Sequence, residues 1–272
     1  LADGSVVTGV ENFTIVTGSG NDSLTLAVSQ TGQHAWIDQG GTDRATLDFS
    51  SWTDRVTNIR GFTTGGPQDA FLGASDGLRG IDLRGVESLF LTLGSGNDYV
   101  QGQWGQNRIF GNAGDDLILG AAAADTLYGG VGNDALEGNE GNDLAYGGNG
   151  DDNVGGFTGR DTLYGGAGND SLSVYGVGVD SIDGGVGNDS LYADYGPQTT
   201  DMSFVLHEGQ NTVLADGSVV TGVENFTIAT GSGNDSLTLA VSQAGQHGWY
   251  DQGGTDRATL DFSSWTDRVT NI

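Results

Sequence analysis

From Gly111 to Tyr146 the chain reads GNAGDDLIL, GAAAADTLY, GGVGNDALE, GNEGNDLAY: four consecutive blocks of nine that open on Gly and carry Asp at the sixth position. The register extends outward without adjustment. Before it stand LGSGNDYVQ from Leu93 and GQWGQNRIF from Gly102. After it come GGNGDDNVG, GFTGRDTLY and GGAGNDSLS, then a ten-residue block, VYGVGVDSID, and a last GGVGNDSLY ending at Tyr192. A short fixed period means that no unit buries a core alone, so each must stack on its neighbours. The first six positions, polar and Gly-rich, predict a tight turn. The last three predict a short strand with one inward apolar residue at position eight: Val100, Ile109, Ile118, Leu127, Leu136, Ala145, Val154, Leu163, Leu172, Ile182 and Leu191. Two facing strands, two nines, close one turn of a flattened solenoid. Turns stacked at about 4.8 Å give a roll about 25 Å long.

The run resembles the RTX family ("repeats in toxin", the hemolysin-type calcium-binding repeat), whose motif is GGxGxDxUx with U a large apolar residue. The resemblance implies an all-β, right-handed parallel β-roll. In it Ca2+ sits between a loop and the loop one full turn away, held by backbone carbonyls and the Asp at position six. A hard cation that takes about six to eight oxygen ligands suits such a site. Loops alternate sides, so the carried-over ligands form two rows. One row holds Asp98, Asp116, Asp134, Asp152, Asp170 and Asp189, which implies five inter-turn sites. The other holds Asn107, Asp125, Asp143, Asp161 and Asp180 and departs from the motif. Asn107 is uncharged, Ala121 to Ala124 replace glycines, and an extra residue near Val174 breaks the spacing. About one to three sites are expected there, Asp125/Asp143 and Asp143/Asp161 first. The competing reading is that these Asp residues only shape turns.

Charge bears on that choice. Residues 93–192 hold thirteen Asp and two Glu against two Arg, a net charge of −13. Like charges stacked in rows repel, and five Ca2+ would nearly cancel them. Extracellular calcium modules bind at about 0.1–1 mM. At about ten times Kd each site adds roughly 1.4 kcal/mol, and five add about 7 kcal/mol, the size of a whole domain's stability. The roll is therefore expected to fold on meeting calcium.

The full chain of 272 residues has a formal charge of −27 and a pI near 4.1, which argues against nucleic acid and anionic membrane surfaces as partners. All nine basic residues are Arg, and Cys is absent, compatible with a secreted protein stapled by metal in place of disulfides. No apolar run approaches the length of a membrane span. The opening LADGSVVTGV lacks the features of a signal peptide. The RTX resemblance implies type I secretion by a C-terminal signal, which would lie beyond Ile272.

A second, longer repeat surrounds the roll. Leu1 to Ile59 recurs at Leu214 to Ile272, offset by 213 residues, with four differences: Val16/Ala229, Thr31/Ala244, Ala35/Gly248 and Ile37/Tyr250. Near-identity at that spacing predicts a tandem array within a much larger protein. The chain divides into a β-rich module at 1–59, a β-rich lead-in at 60–92, the roll at 93–192, and a β-rich cap with the start of the next repeat at 193–272. GVENFTIVTGSGND at Gly9 parallels GVESLFLTLGSGND at Gly85, so a strand feeding a GSGND loop occurs in both, and this favours continuation of the solenoid into the flanks. Asp22 is expected to pair with Asp38 or Asp43 to hold calcium, and Asp235 with Asp251 or Asp256; simple turns are the alternative. Glu11, Glu87 and Glu224 share one place in the lead-in and are read as strand caps in preference to ligands. Pro197 suits an edge or turn, and the apolar run Met202 to Leu206 is expected to cover the last turn of the roll.

Signs of catalysis are few. GASDG at Gly73 to Gly77 matches GxSxG only formally, without the strand–turn–helix context, and HEGQN at His207 is not HExxH. His34 and His247 are copies of each other and read as structural, as do most of Trp36, Trp52, Trp104, Trp249 and Trp265. No enzyme is expected. The leading function is a calcium-stiffened spacer of a large secreted surface or biofilm adhesin, with neighbouring repeats as partners. The alternatives are the calcium-folded C-terminal region of a secreted protease or lipase, and a glycan-binding module.

Overall fold

The computed structural model describes residues 12–28, 33–37, 39–61, 70–74, 80–176, 178–207, 211–240 and 245–261. These form twenty-six strands and no helix. The strands are β1 Phe13–Val16, β2 Ser23–Ala27, β3 Gln33–Ile37, β4 Arg44–Asp48, β5 Val56–Gly61, β6 Ala70–Ala74, β7 Gly80–Arg84, β8 Ser88–Thr92 and β9 Tyr99–Gln101. The roll continues with β10 Arg108–Ala113, β11 Leu117–Ala121, β12 Thr126–Val131, β13 Ala135–Glu140, β14 Leu144–Asn149, β15 Asn153–Thr158, β16 Thr162–Ala167, β17 Ser171–Tyr175, β18 Ser181–Val186 and β19 Ser190–Asp194. Beyond it lie β20 Ser203–His207, β21 Thr212–Val213, β22 Val219–Thr221, β23 Asn225–Ala229, β24 Ser236–Ala240, β25 His247–Tyr250 and β26 Arg257–Asp261.

Two thirteen-stranded sheets result, one ordered β1-β3-β7-β6-β5-β9-β11-β13-β15-β17-β19-β23-β25, the other β2-β4-β8-β10-β12-β14-β16-β18-β22-β21-β20-β24-β26. Through the roll, consecutive strands of the chain alternate between sheets and pair in parallel. Leu127 lies opposite Ala145 and Leu136 opposite Val154, a register of eighteen. The extra residue after Ser173 lengthens the register to nineteen, with Leu163 opposite Ile182 and Leu172 opposite Leu191, and pairing is kept. All eleven position-eight side chains are buried at 1% exposure or less, in two files that face each other, one from each sheet.

Two features differ from the sequence expectation. Roll strands run to six residues, not three, because the backbone of the first positions of the following block stays in the parallel ladder: Gly130 pairs with Gly148, and Val131 with Asn149. The turn shrinks to about three residues. Its sharpness rests on glycines such as Gly132, at φ 137°, where a Cβ would collide with the Gly114 carbonyl one coil away. Second, the Met202 to Leu206 run does not close the stack. It forms β20, with β21 on one side and β24 on the other, and it buries Phe204 and Leu206, so the sheets run on into the duplicated segment.

Candidate metal centres

One residue stands immediately before each parallel strand, at the point where the loop turns into the sheet, and these residues stack from coil to coil. In the first row the Asp98 N–H donates to Asp116 Oδ1 at 2.7 Å, and Asp116 to Asp134, Asp134 to Asp152, Asp152 to Asp170 and Asp170 to Asp189 follow at 2.8 to 2.9 Å. In the second row Asn107 N–H donates to Asp125 Oδ1, and Asp125 to Asp143, Asp143 to Asp161 and Asp161 to Asp180 at 2.8 to 2.9 Å. The two rows are those read from the nonapeptide spacing. Each Oδ1 is thus fixed by the neighbouring coil.

The second carboxylate oxygen is the informative one. Oδ2 of Asp98, Asp116, Asp134, Asp152, Asp170 and Asp189, and of Asp125, Asp143 and Asp161, is buried and accepts no hydrogen bond. A buried, undonated carboxylate oxygen is costly unless something cationic meets it. The glycine opening each block marks where these atoms point. A Cβ on Gly111 would collide with Asp116 Oδ2 and the Gly129 carbonyl, and one on Gly129 with Asp134 Oδ2. The same holds at Gly147 for Asp152, at Gly165 for Asp170 and at Gly120 for Asp125. Carboxylate and carbonyl oxygens therefore converge, coil after coil, on a space that any side chain would fill. An all-oxygen donor set of this kind fits a hard cation such as Ca2+. Bound there, the ion would bridge coils and neutralise the stacked charge.

The electrostatics agree. Burial, with stacked Asp98 and Asp134 adding to it, pushes Asp116 up to about 8, and burial with the Asp143 charge does the same for Asp125. Burial raises Asp152 to about 7, and Asp98, Asp161, Asp180 and Asp189 to about 6. Asp134, Asp143 and Asp170 are raised as well, again chiefly by burial.

Asn107 is the exception, and its geometry explains why. Its Nδ2 donates to the carbonyl oxygens of Gln103 at 2.6 Å, Gly105 at 2.7 Å and Gly120 at 3.2 Å, and approaches Asp125 Oδ1 at 3.0 Å. The amide group gathers the oxygens that a cation would otherwise gather. The Ala121 to Ala124 loop, by contrast, keeps the glycine loop's shape, with Ala121 at φ 93° and Ala123 at φ 66°.

Three members of the rows were not legible as such. Glu87 Oε2 accepts from Asp43 N–H at 2.7 Å, Glu224 Oε2 from Asp189 N–H at 2.9 Å, and Ser218 Oγ from Asp180 N–H at 2.8 Å. Each directly precedes a strand, and that position was the signal available. Capping of a neighbouring coil describes both glutamates; Glu11 lies outside the described residues.

In the duplicated segment Asp22 N–H donates to Asp43 Oδ1 at 2.7 Å, and its copy Asp235 N–H donates to Asp256 Oδ1 at 2.8 Å. Asp235, Asp251 and Asp256 each bring a carboxylate oxygen within 4.8 Å of the others. Asp235 is buried, and its Oδ2 accepts no hydrogen bond. Asp38, the counterpart of Asp251, lies outside the described residues, as do Ser75 of the GASDG match and Trp265. Trp36, Trp52 and Trp249 each donate Nε1–H inside the stack, to Thr17 Oγ1, the Val28 carbonyl and Thr230 Oγ1, while Trp104 is exposed.

Comparison with known proteins agrees with this geometry. The RTX calcium-binding nonapeptide repeat matches residues 90–118, 101–136, 119–154, 146–175, 155–191 and 174–196. No curated protein matches the chain. Residues 90–196 are therefore a run of RTX calcium-binding nonapeptide repeats.

Proposed function

We propose that the chain is a calcium-folded spacer, one repeat and part of the next in a large secreted bacterial surface or biofilm adhesin exported by type I secretion. The observation that carries this reading is the 59-residue segment repeated at an offset of 213 with four differences. Near-identical repetition of a segment that flanks the roll favours a protein whose product is length. The first row supplies five inter-coil calcium sites, from Asp98/Asp116 to Asp170/Asp189. The second supplies Asp125/Asp143, Asp143/Asp161 and Asp161/Asp180, while Asn107 closes its own place. Asp235 with Asp251 and Asp256, and Asp22 with Asp43, add one site in each copy of the duplicated segment.

Calorimetric titration with Ca2+, read together with circular dichroism and small-angle scattering, tests the reading. A spacer passes from an expanded coil to an elongated, β-rich particle as at least five ions bind. Full β content in excess chelator, or an unchanged scattering profile on adding calcium, would sink it.

A further inference from the structure

The two copies of the duplicated segment have the same sequence and opposite surroundings. Ile15, Leu24 and Leu26 are half-buried, whereas their copies Ile228, Leu237 and Leu239 are buried. Nothing lies within 4 Å of a Cβ on Gly18 or Gly20, whereas on Gly231 and Gly233 it would collide with the carbonyls of Gln198 and Thr200. At the other edge the contrast reverses. Ala45, Leu47 and Asp43 are buried, and their copies Ala258, Leu260 and Asp256 are exposed. Among the described residues, the first copy is open on its upstream side and closed downstream, and the second is closed upstream and open downstream. What closes each is recorded in the other: β23 and β24 pair with β19 and β20, and β3 and β4 pair with β7 and β8.

We infer that this segment is a continuous joint, through which the solenoid passes from one 213-residue repeat into the next without a hinge. The inference rests on the tandem-array reading above and identifies the partner of each open edge as the adjoining copy. Strand counts support it. From β1 to its copy β23 the first sheet advances eleven strands, and from β2 to its copy β24 the second also advances eleven. The equality is not trivial, because each sheet contains an antiparallel excursion that the other lacks. The first sheet turns through β5, β6 and β7, and the second through β20, β21 and β22. Either alone would wedge the stack. Together they cancel over one period, so a further copy docks in register on both sheets at once. At about 4.8 Å per strand the rise is about 53 Å per repeat.

Chains of one, two and three full repeats, each closed by residues 214–272, test this by small-angle scattering in saturating Ca2+. The maximum dimension should grow by about 53 Å with each added repeat, eleven strands at about 4.8 Å. Gly231→Val at the first joint of the two-repeat chain should shorten and broaden that dimension while roll dichroism stays constant; Gly18→Val at the free edge should change neither. Compact, calcium-folded repeats whose combined length grows by less with each addition would overturn the joint and leave the spacer standing. Chains that stay expanded in calcium would overturn both.

Discussion

The roll and the coils that flank it are built on one stacking scheme and stabilised in different ways. In the flanks the interior is aromatic: Trp36, Phe49 and Trp52 on one side, Tyr195, Phe204 and Phe226 on the other, all buried. Phe49 meets Trp52 edge-on at 5.1 Å, and Trp52 donates to the Val28 carbonyl. In the roll each coil contributes two aliphatic side chains, and where Ala145 stands the core is thinner still. The residues before the strands differ in the same sense. In the flanks they include Glu87, Ser218 and Glu224, whereas between Asp116 and Asp189 all are Asp with buried, raised carboxylates. The roll thus pairs a thin core with continuous rows of buried carboxylates, and the flanks pair a thick aromatic core with few of them, so the roll should depend on cations far more than the flanks do.

The most decisive way to break this contrast is to remove calcium. In excess chelator the roll between β10 and β19 should lose its amide protection, while amides around Trp52 and Phe204 retain theirs. Hydrogen exchange resolved by segment checks this; uniform protection, or uniform loss, would mean that the two regions do not differ in what holds them.

Acid should act on the calcium-free roll in the opposite direction to its usual effect. Asp116 and Asp125 are raised to about 8, and Asp152 to about 7. A carboxyl raised on folding binds its proton more tightly in the folded state. Its contribution is fully present below the ordinary carboxylate value near 4 and is lost as pH rises through the folded value. In chelator, β content should therefore increase as pH falls from 8 to 4. With Ca2+ present the same protons compete with the ion, so calcium affinity should weaken over that range. Dichroism against pH, with and without calcium, reads both.

Single substitutions sharpen the comparison. Asp134→Asn keeps an acceptor for the Asp116 N–H but removes the charge shared with the coils on either side. Loss of two sites should cost about 3 kcal/mol at ten times Kd. Glu224→Gln also keeps its acceptor, for the Asp189 N–H, and should cost under about 1 kcal/mol. Asn107→Asp runs the other way. It exchanges the amide that holds the Gln103, Gly105 and Gly120 carbonyls for a carboxylate, and should add one Ca2+ in calorimetry while destabilising the calcium-free state. An unchanged ion count would show that these carbonyls cannot serve as ligands.

How much of this could be read in the chain follows from where the period holds. Position eight and position six repeat every nine residues, so the inward files from Val100 to Leu191 and both rows of Asp were legible. The strand length was not, because Gly130 and Val131 look like turn residues, and only pairing with the next coil draws them into the ladder. Glu87, Glu224 and Ser218 were hidden because the spacing between coils widens around them: Asp43 to Glu87 spans 44 residues and Asp180 to Ser218 spans 38. The two antiparallel excursions have no period at all. Their balance becomes visible only when both sheets are ordered strand by strand.

The smallest expected effect concerns a place where the roll overrides its own sequence. Ala123 sits at φ 66°, where other blocks carry Gly, because the loop is clamped by the loop of the next coil. Asp125 N–H is fixed to Asp143 Oδ1, and Gly141 packs so closely on the Ala123 carbonyl that no Cβ fits between them. Holding an L-residue in that conformation costs roughly 1–2 kcal/mol. Ala123→Gly relieves the strain but frees the unfolded chain, which returns about 0.4–1 kcal/mol. The net gain should lie between about 0 and 1.6 kcal/mol, seen as a higher urea midpoint in calcium. Ala124→Gly next to it, where φ is not positive, has no strain to relieve and should lower the midpoint. If the two variants moved it alike, the loop's shape would owe nothing to the coil that clamps it.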